Sequence, residues 1–510
     1  MASQAPLSSL NRFLEPFNID VDTCHALSER FLQNFAHLAA ESKDQFLPTP
    51  ISESILRPVA ERGQGRHLAI DIGGTNLRVG FVELHGTAED ASNHSGQVQR
   101  LLEKSWPIAN HLKNDNADSL FDWIGKCIAE VVEDGTKTLE LPKDKPVSLG
   151  VTFSFPMVQK SVSQATLMSM GKGFALPESM DLGSRLEEGY AKFRHDSLPP
   201  LKVTAIANDS VSTLVSFIFN YDGRETQRAA MGLILGTGSN ATVPLKLSLL
   251  HPSKRPEVVS VLPGESLENA TIAVNTEWSI NGTAPPLREL GLISKWDDVL
   301  SAQNETPGFQ PLEYMTAGRY LGELGRIMLM DYMTSILDIP AETLPSKLLG
   351  KHNMTTTFLS HYKPLEPASL LTKLEQEFPE STGASGFKWT EEVAVALYHI
   401  AKAIEVRAAG IIAAAILALL TLAEEIPAGE SPASEGLATQ ELGVGYTGGC
   451  IVHFQDYLVD CQSFVDQLVT RKFGDNGPLR VVLSPCHDGG VTGAGILVAA
   501  EASSSKQSEA

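Results

Sequence analysis

Two short stretches share a pattern that limits what this chain can fold into: IDIGGTNLRVGF at residues 70–81 and LILGTGSNATVP at 233–244. Each reads as a β-type apolar run, a glycine turn carrying a threonine, and a second apolar run, the signature of a hairpin. Two such hairpins suggest a duplicated phosphate-gripping unit with a cleft between its halves. Further strand-like runs fall at 147–155, 201–207, 231–236 and 442–446. Helical periodicity separates them at 18–40, 118–133, 311–337, 390–425 and 457–471. Strands alternating with helices imply an α/β fold whose sheets are covered by helices. The polar stretches 425–440 and 503–510 read as loops.

A chain of 510 residues can bury a large core and suggests about two to four domain-sized units. Its net charge of −21 argues against a nucleic-acid surface, since no basic excess is present to neutralise a phosphate backbone. A single nucleotide needs only a few backbone amides and a metal ion, so it stays admissible. The five cysteines are scattered and form no Cys-x-x-Cys pair, which fits a reducing compartment and gives no zinc site. The N-terminal stretch has neither a basic start nor an apolar core, so no signal peptide is expected and the cytoplasm is the expected location. The apolar run at 408–423 is short and Ala-rich for a membrane span, and a buried core helix is expected there.

In DIGGTN, Gly73 and Gly74 let successive backbone amides approach a ligand, and Thr75 adds a hydroxyl donor. Asp71 repels phosphate; its sensible partner is Mg²⁺, held through water. Arg78 is either a further positive group or a solvated strand residue. GTGSN, residues 236–240, is the second nest, with Thr237 as its donor. TGAG at 492–495 reads as the glycine-rich opening of a helix, and GYTGG at 445–449 as a further turn. AIANDS ends a strand on Asn208-Asp209, where a carboxylate suits the role of proton acceptor for an attacking alcohol. The alternative is a helix cap supplied by Asp209 or Ser210. Asn275, Glu277, Gln310 and Glu313 complete an inventory able to fork between adjacent sugar hydroxyls, although Glu313 also suits the first turn of a helix.

The set resembles the hexokinase family of ATP-dependent sugar kinases. LPTP, LAIDIGGTNLRV, LGVTFSFPM, GKGF, ANDSVSTLVS, GLILGTGSNA, NTEW and PGFQPLE with MTAGRYLGELGR occur in family order over most of the chain. The resemblance implies an α/β protein of two actin-like ATPase (ribonuclease H-like) domains flanking a deep cleft. It implies a small domain of residues 66–208 plus 484–510 and a large one of residues 1–65 plus 209–483. Asp209 resembles the catalytic base, with Lys172 beside it, and Asp71 the Mg²⁺-side carboxylate. Gly73, Gly74, Thr75, Asn76, Arg78, Gly236, Thr237 and Gly238 would hold ATP phosphates, with Thr447, Gly448 and Gly449 near them. Thr492 and Gly493 would fall at the adenosine end. Ser154, Gly171, Lys172, Asn208, Asp209, Asn240, Glu277, Gln310 and Glu313 match sugar-lining positions. The implied partners are ATP, Mg²⁺ and a hexose or N-acetylhexosamine, with no nucleic acid, no membrane insertion, and a monomer or weak dimer.

Two departures sharpen the expectation. Where the family usually reads Trp-Thr-Lys-Gly-Phe, this chain has Met170-Gly171-Lys172-Gly173-Phe174. Losing the threonine side chain removes about three heavy atoms from the wall, about what an N-acetyl group adds to a sugar, and pocket size discriminates by ~1–3 kcal/mol or by outright clash. Hence N-acetylglucosamine is the expected acceptor, as in the fungal N-acetylglucosamine kinases of this family. A glucose or mannose hexokinase is the alternative. At the nucleotide end, Asp-Gly-Ser is replaced by Thr447-Gly448-Gly449 and the C-terminal motif by HDGGVTGAG. Each lost hydroxyl donor costs roughly 1–3 kcal/mol, which leaves a weak or inactive sugar sensor as a third expectation.

Overall fold

The structure, a computed structural model, describes residues 4–508 except 57–63, 86–97, 110, 113–116, 169–179, 222–225, 260, 262–265, 380–386, 429–439 and 476. Strand β1 spans Leu47–Ser52, β2 Gln64–Ile72, β3 Asn76–His85, β4 Val98–Pro107, β5 Val147–Phe153, β6 Met157–Ser161 and β7 Gln164–Leu167. Strand β8 spans Leu201–Ala207, β9 Gln227–Leu235, β10 Ser239–Lys246, β11 Thr271–Asn275, β12 Gln440–Thr447 and β13 Leu479–Pro485.

The glycine turns do form hairpins: β2 pairs antiparallel with β3, and β9 with β10. Each hairpin lies within a sheet, one ordered β4-β3-β2-β5-β8 and the other β1-β11-β10-β9-β12-β13. Setting β1 aside, the two orders match position for position. Three antiparallel strands are followed by two parallel ones, β5 and β8 in one sheet, β12 and β13 in the other. The echo between the two motifs is therefore a duplication of topology. Strand β1 keeps two prolines because it lies at an edge, where a missing N–H leaves no ladder bond unmade.

The helices that position the site are α1 (Val21–Glu41), α2 (Ala117–Thr138), α3 (Leu182–Phe193), α4 (Asp209–Tyr221), α5 (Pro311–Thr316) and α6 (Gly318–Ser335). They continue with α7 (Thr356–Ser360), α8 (Glu391–Leu422), α9 (Gly449–His453), α10 (Tyr457–Phe473) and α11 (Gly489–Ser508). Helix α11 packs on β2 and β5, helix α4 packs on β9, and the two helices pack on each other. The layers run sheet, α11, α4, sheet. Val211, Leu214, Val491, Ala494 and Leu497, all essentially buried, fill the seam. A Cβ on Gly493 would stand 2.1 Å from the Ser212 carbonyl oxygen, so the helices cross where one of them has no side chain.

Two expectations change and a third, the buried core helix at 408–423, holds. The helix expected over 311–337 is two, because Ala317 takes an extended conformation (φ −106°, ψ 150°) and Gly318 N–H turns to the Gly236 carbonyl at 2.8 Å. The tail expected as loop from 503 is helical through Ser508. Helix α8 holds the apolar run and is long and apolar enough to span a bilayer, yet 89% of its most apolar window is buried inside the protein, as a core helix.

Candidate active site

Asp71 is the next-to-last residue of β2, directly opposite Arg78 in the ladder, whose Nη1 stands 3.4 Å from its carboxylate. Helix α11 opens beside it: a methyl on Gly490 would lie 2.6 Å from Asp71 Oδ2. Burial first, then the neighbouring Asp209 carboxylate, push the Asp71 carboxyl up to about 7, while Arg78 opposes the shift. Two acids from separate segments thus face one small volume, and Arg78 neutralises them only in part. In the adjoining turn Gly73 N–H donates to the Asn76 carbonyl at 3.0 Å, and Thr75 and Asn76 are exposed. Nothing lies within 4 Å of a Cβ built on Gly74, and its φ is not positive. Neither packing nor backbone conformation therefore demands glycine there; close approach by a ligand supplies a reason.

Asp209 is the first residue of α4 and half-buried. The amide of Ser210 donates to both Asn208 Oδ1 (3.0 Å) and Asp209 Oδ1 (2.8 Å), and Ser210 Oγ also donates to Asn208 at 2.8 Å. Asn208, buried, thus carries much of the capping. From Asn208 a chain of amides and acids leads away. Asn240 Nδ2 donates to Asn275 Oδ1 at 2.9 Å and to Glu277 Oε1 at 3.2 Å, and reaches Asn208 Oδ1 at 3.4 Å. Asn275 Nδ2 donates to Glu277 Oε1 at 2.8 Å. Ser154 follows β5, its amide on the Ile72 carbonyl at 3.1 Å, at the same end of the sheet as Asp71. Glu313 is buried in α5 and accepts from the Ser239 amide at 3.0 Å, while Gln310, half-buried, precedes that helix.

The second hairpin abuts a cavity of about 420 Å³ lined by Gly236, Thr237, Arg319, Thr356, Gly449 and His453 among others. Arg319 N–H donates to the Thr237 carbonyl at 3.1 Å, which ties the start of α6 to the hairpin. Gly238 closes the turn, its carbonyl accepting from Gly236 N–H at 3.0 Å. Thr447 ends β12, and Gly448, with φ 131°, turns the chain into α9 so that Gly449 opens that helix at the cavity.

Gly171 and Lys172 lie outside the described residues. Thr492 and Gly493 do not line the cavity beside the second hairpin. The helix begins three residues earlier than TGAG implied, at Gly489, and Gly493 is spent on the contact with α4. The cavity is lined by Arg319, Thr356, Thr357 and His453 among others, none of which the sequence reasoning singled out. The hydroxyl-rich run MTTTFLSH at 354–361 was the available signal.

The donor set suits a nucleotide with Mg²⁺. Among the described residues no group of three or more His, Cys, Asp and Glu forms a metal cage. One under-neutralised carboxylate beside a nest of amides is what Mg²⁺ uses when phosphates and waters complete its shell.

Two sheets of like topology, each built on a glycine hairpin and joined through two packed helices, define an actin-like ATPase fold. Profiles of the hexokinase family match residues 9–219 and 230–500. The chain belongs to the hexokinase family. It is 31% identical to a hexokinase of Schistosoma mansoni over 316 residues, 60% of each chain. It is 30% identical to one of Kluyveromyces lactis over 58% of this chain and 55% of that one, so these matches span little more than half of either relative's length. With hexokinase-1 of Schizosaccharomyces pombe it shares 28% over 78% of this chain and 75% of the other. Among solved structures, the hexokinase from Schistosoma mansoni complexed with glucose superposes with a TM-score of 0.76 at 23% identity, covering 98% of this chain and all of that one. A second hexokinase crystal structure gives 0.71 at 22% identity, with the same coverage.

Proposed function

We propose that the protein transfers a phosphoryl group from ATP to the 6-hydroxyl of a hexose, with N-acetylglucosamine as the favoured acceptor. The observation that carries this reading is the placement of Asp209, coupled electrostatically to Asp71 on one side and adjoining the Asn208–Asn240–Asn275–Glu277 chain on the other. A proton acceptor between a phosphate nest and a fork of amides and acids is what sugar phosphorylation needs.

In this reading Asn208, Asn240, Glu277, Gln310, Glu313 and Ser154 hold the sugar hydroxyls. Asp209 takes the 6-hydroxyl proton as that oxygen bonds to phosphorus and ADP departs. Mg²⁺, bound with ATP on the Asp71 side through water, supplies neutralisation of charge on the transferring group. The amides of Gly74 and Thr75 face the phosphates from one sheet and those of Thr237 and Gly238 from the other, while Gly73 and Gly236 shape the two nests by spending their N–H groups on closing the turns. Asn76, Arg78 and Lys172 add donors. The cavity between the second hairpin, Arg319, Thr356 and Gly449 receives the adenosine. Residues 66–208 with 484–510 close on the remainder of the chain, which excludes water as a competing acceptor. The protein works in the cytoplasm, as a monomer or weak dimer.

The preference for the acetylated sugar rests on the sequence alone, in which Gly171 stands where the family usually has the larger threonine. Glucose or mannose is the second reading, favoured by the glucose complex of the Schistosoma mansoni relative. A coupled ADP-release assay over N-acetylglucosamine, glucose and mannose separates them. N-acetylglucosamine is expected to give the highest kcat/KM, and Gly171→Thr to penalise it selectively. A higher kcat/KM for glucose overturns the substrate assignment. Sugar-induced thermal shifts without ADP release from any sugar would indicate a sensor.

A further inference from the structure

Glu277 holds an unusual backbone conformation for a residue with a side chain, φ 45°, at the corner that follows β11. Its neighbours cannot move to relieve it. Thr276 is fully buried, with amide and hydroxyl both on the Ala241 carbonyl at 2.9 Å, and Trp278 is fully buried with Nε1 on Ser239 Oγ at 3.0 Å. The Glu277 carbonyl is gripped by a residue from a distant segment: Gln45 Nε2 donates to it at 2.9 Å and to Thr283 Oγ1 at 3.2 Å. Gln45 is itself fixed. It is 2% exposed, its amide donates to Ser42 Oγ at 3.1 Å, and its carbonyl accepts from Lys254 Nζ at 3.2 Å. The next amide, Phe46 N–H, donates to the Thr276 carbonyl at 2.9 Å. Room for the Gln45 side chain depends on Gly282, where a Cβ would stand 2.0 Å from Gln45 Oε1.

We propose that Gln45 is a positioning residue for the sugar site, its side-chain amide pinning the strained peptide of Glu277 so that the carboxylate stays on Asn240 and Asn275. This rests on the reading of Glu277 as a sugar-binding group. A left-handed non-glycine residue persists only where its surroundings over-determine it, and the Gln45 bond is the part of that constraint reaching Glu277 across 232 positions of sequence. Losing it leaves that carbonyl to the longer bond from Ile280 N–H at 3.3 Å, so the peptide is held less tightly and the carboxylate shifts off the sugar hydroxyls. Gln45 is not placed against a phosphate nest, so the effect should fall on sugar affinity and spare the nucleotide.

The test uses three variants of the full chain. Gln45→Met keeps the shape and removes the donor, Gln45→Glu keeps size and acceptor but not the donor, and Gly282→Ala displaces the Gln45 side chain from the other side. Each is expected to raise the KM for sugar about tenfold, the equivalent of ~1.4 kcal/mol, with kcat and the KM for ATP within about threefold of wild type. Glu277→Gln is the control: if it leaves sugar affinity unchanged, the sugar-site reading itself fails. If Glu277→Gln weakens sugar while all folded Gln45 and Gly282 variants keep wild-type KM, the positioning role is refuted. A uniform loss of kcat and both KM values, tracking a lowered melting temperature, also refutes it. Should Gln45→Met not fold, Gln45→Glu and Gly282→Ala carry the same decision.

Discussion

Replacing Asp71 by asparagine should harm the reaction and help the fold. In the folded chain the Asp71 carboxyl sits at about 7, against an ordinary value of 3.8, because burial and Asp209 both disfavour its charge. The fold therefore holds this proton more tightly than the unfolded chain does. Stability is lost as pH rises from the unfolded value toward the folded one, and the full penalty is present above about 7. Between pH 5 and the folded value lie about two units, which at ~1.4 kcal/mol each set a ceiling of about 3 kcal/mol. The side chain is 16% exposed, so solvent screening brings the expected difference to about 1–2 kcal/mol. Asparagine keeps the shape and carries no charge at either pH. Thermal melts in EDTA at pH 5 and pH 8.5 should show Asp71→Asn gaining on wild type by a few degrees as pH rises, at roughly 2–4 °C per kcal/mol or less. The same variant should lose most ADP release. A gap in melting temperature that stays constant or shrinks between the two pH values would refute the electrostatic reasoning.

Lys402 bridges the buried Glu405 (2.6 Å) with Asp456 (3.0 Å) and Asp460 (2.6 Å), and burial pushes the Glu405 carboxyl up to about 8. In urea melts at pH 9, where Glu405 carries its charge, Lys402→Ala strands that carboxylate and should cost about 3 kcal/mol, whereas Glu405→Gln, which leaves Lys402 two partners, should cost less than about 1. Gly493→Ala forces a methyl to 2.1 Å from the Ser212 carbonyl, so it should lower the melting temperature by several degrees. A selective rise in the KM for ATP with unchanged melting would instead return Gly493 to the nucleotide site.

Elements whose residues carried their own local reason were legible from the sequence. The run LKVTAIA at 201–207 is β8 to the residue, and the twin hairpins followed from glycine flanked by apolar runs. What escaped was set by distant partners. LPTPIS is a strand because β11 offers an edge that needs no N–H from proline. The break at Ala317 exists because the Gly236 carbonyl draws the Gly318 amide out of helix register. The site divided along the same line. Asp71, Asn208, Asp209, Asn240 and Glu277 stood at or next to strand ends, and the structure links Asn208, Asn240 and Glu277 by hydrogen bonds and sets the Asp209 charge beside Asp71. Thr356, Arg319 and His453 sit on helical segments whose polar residues look like ordinary surface until folding brings them to the second hairpin. Gln45 and Gly282 gave no signal at all, since their meaning lies in a contact 237 positions apart.

The most direct test is one variant read in two ways. Asp209→Asn, which preserves shape and the amide contact of Ser210, should lower kcat for sugar phosphorylation by about 10²–10⁴-fold while sugar affinity by calorimetry stays within a few-fold of wild type. Phosphorylation at the wild-type rate by folded Asp209→Asn would contradict the assignment of this carboxylate as proton acceptor, and with it the chemistry ascribed to the crevice.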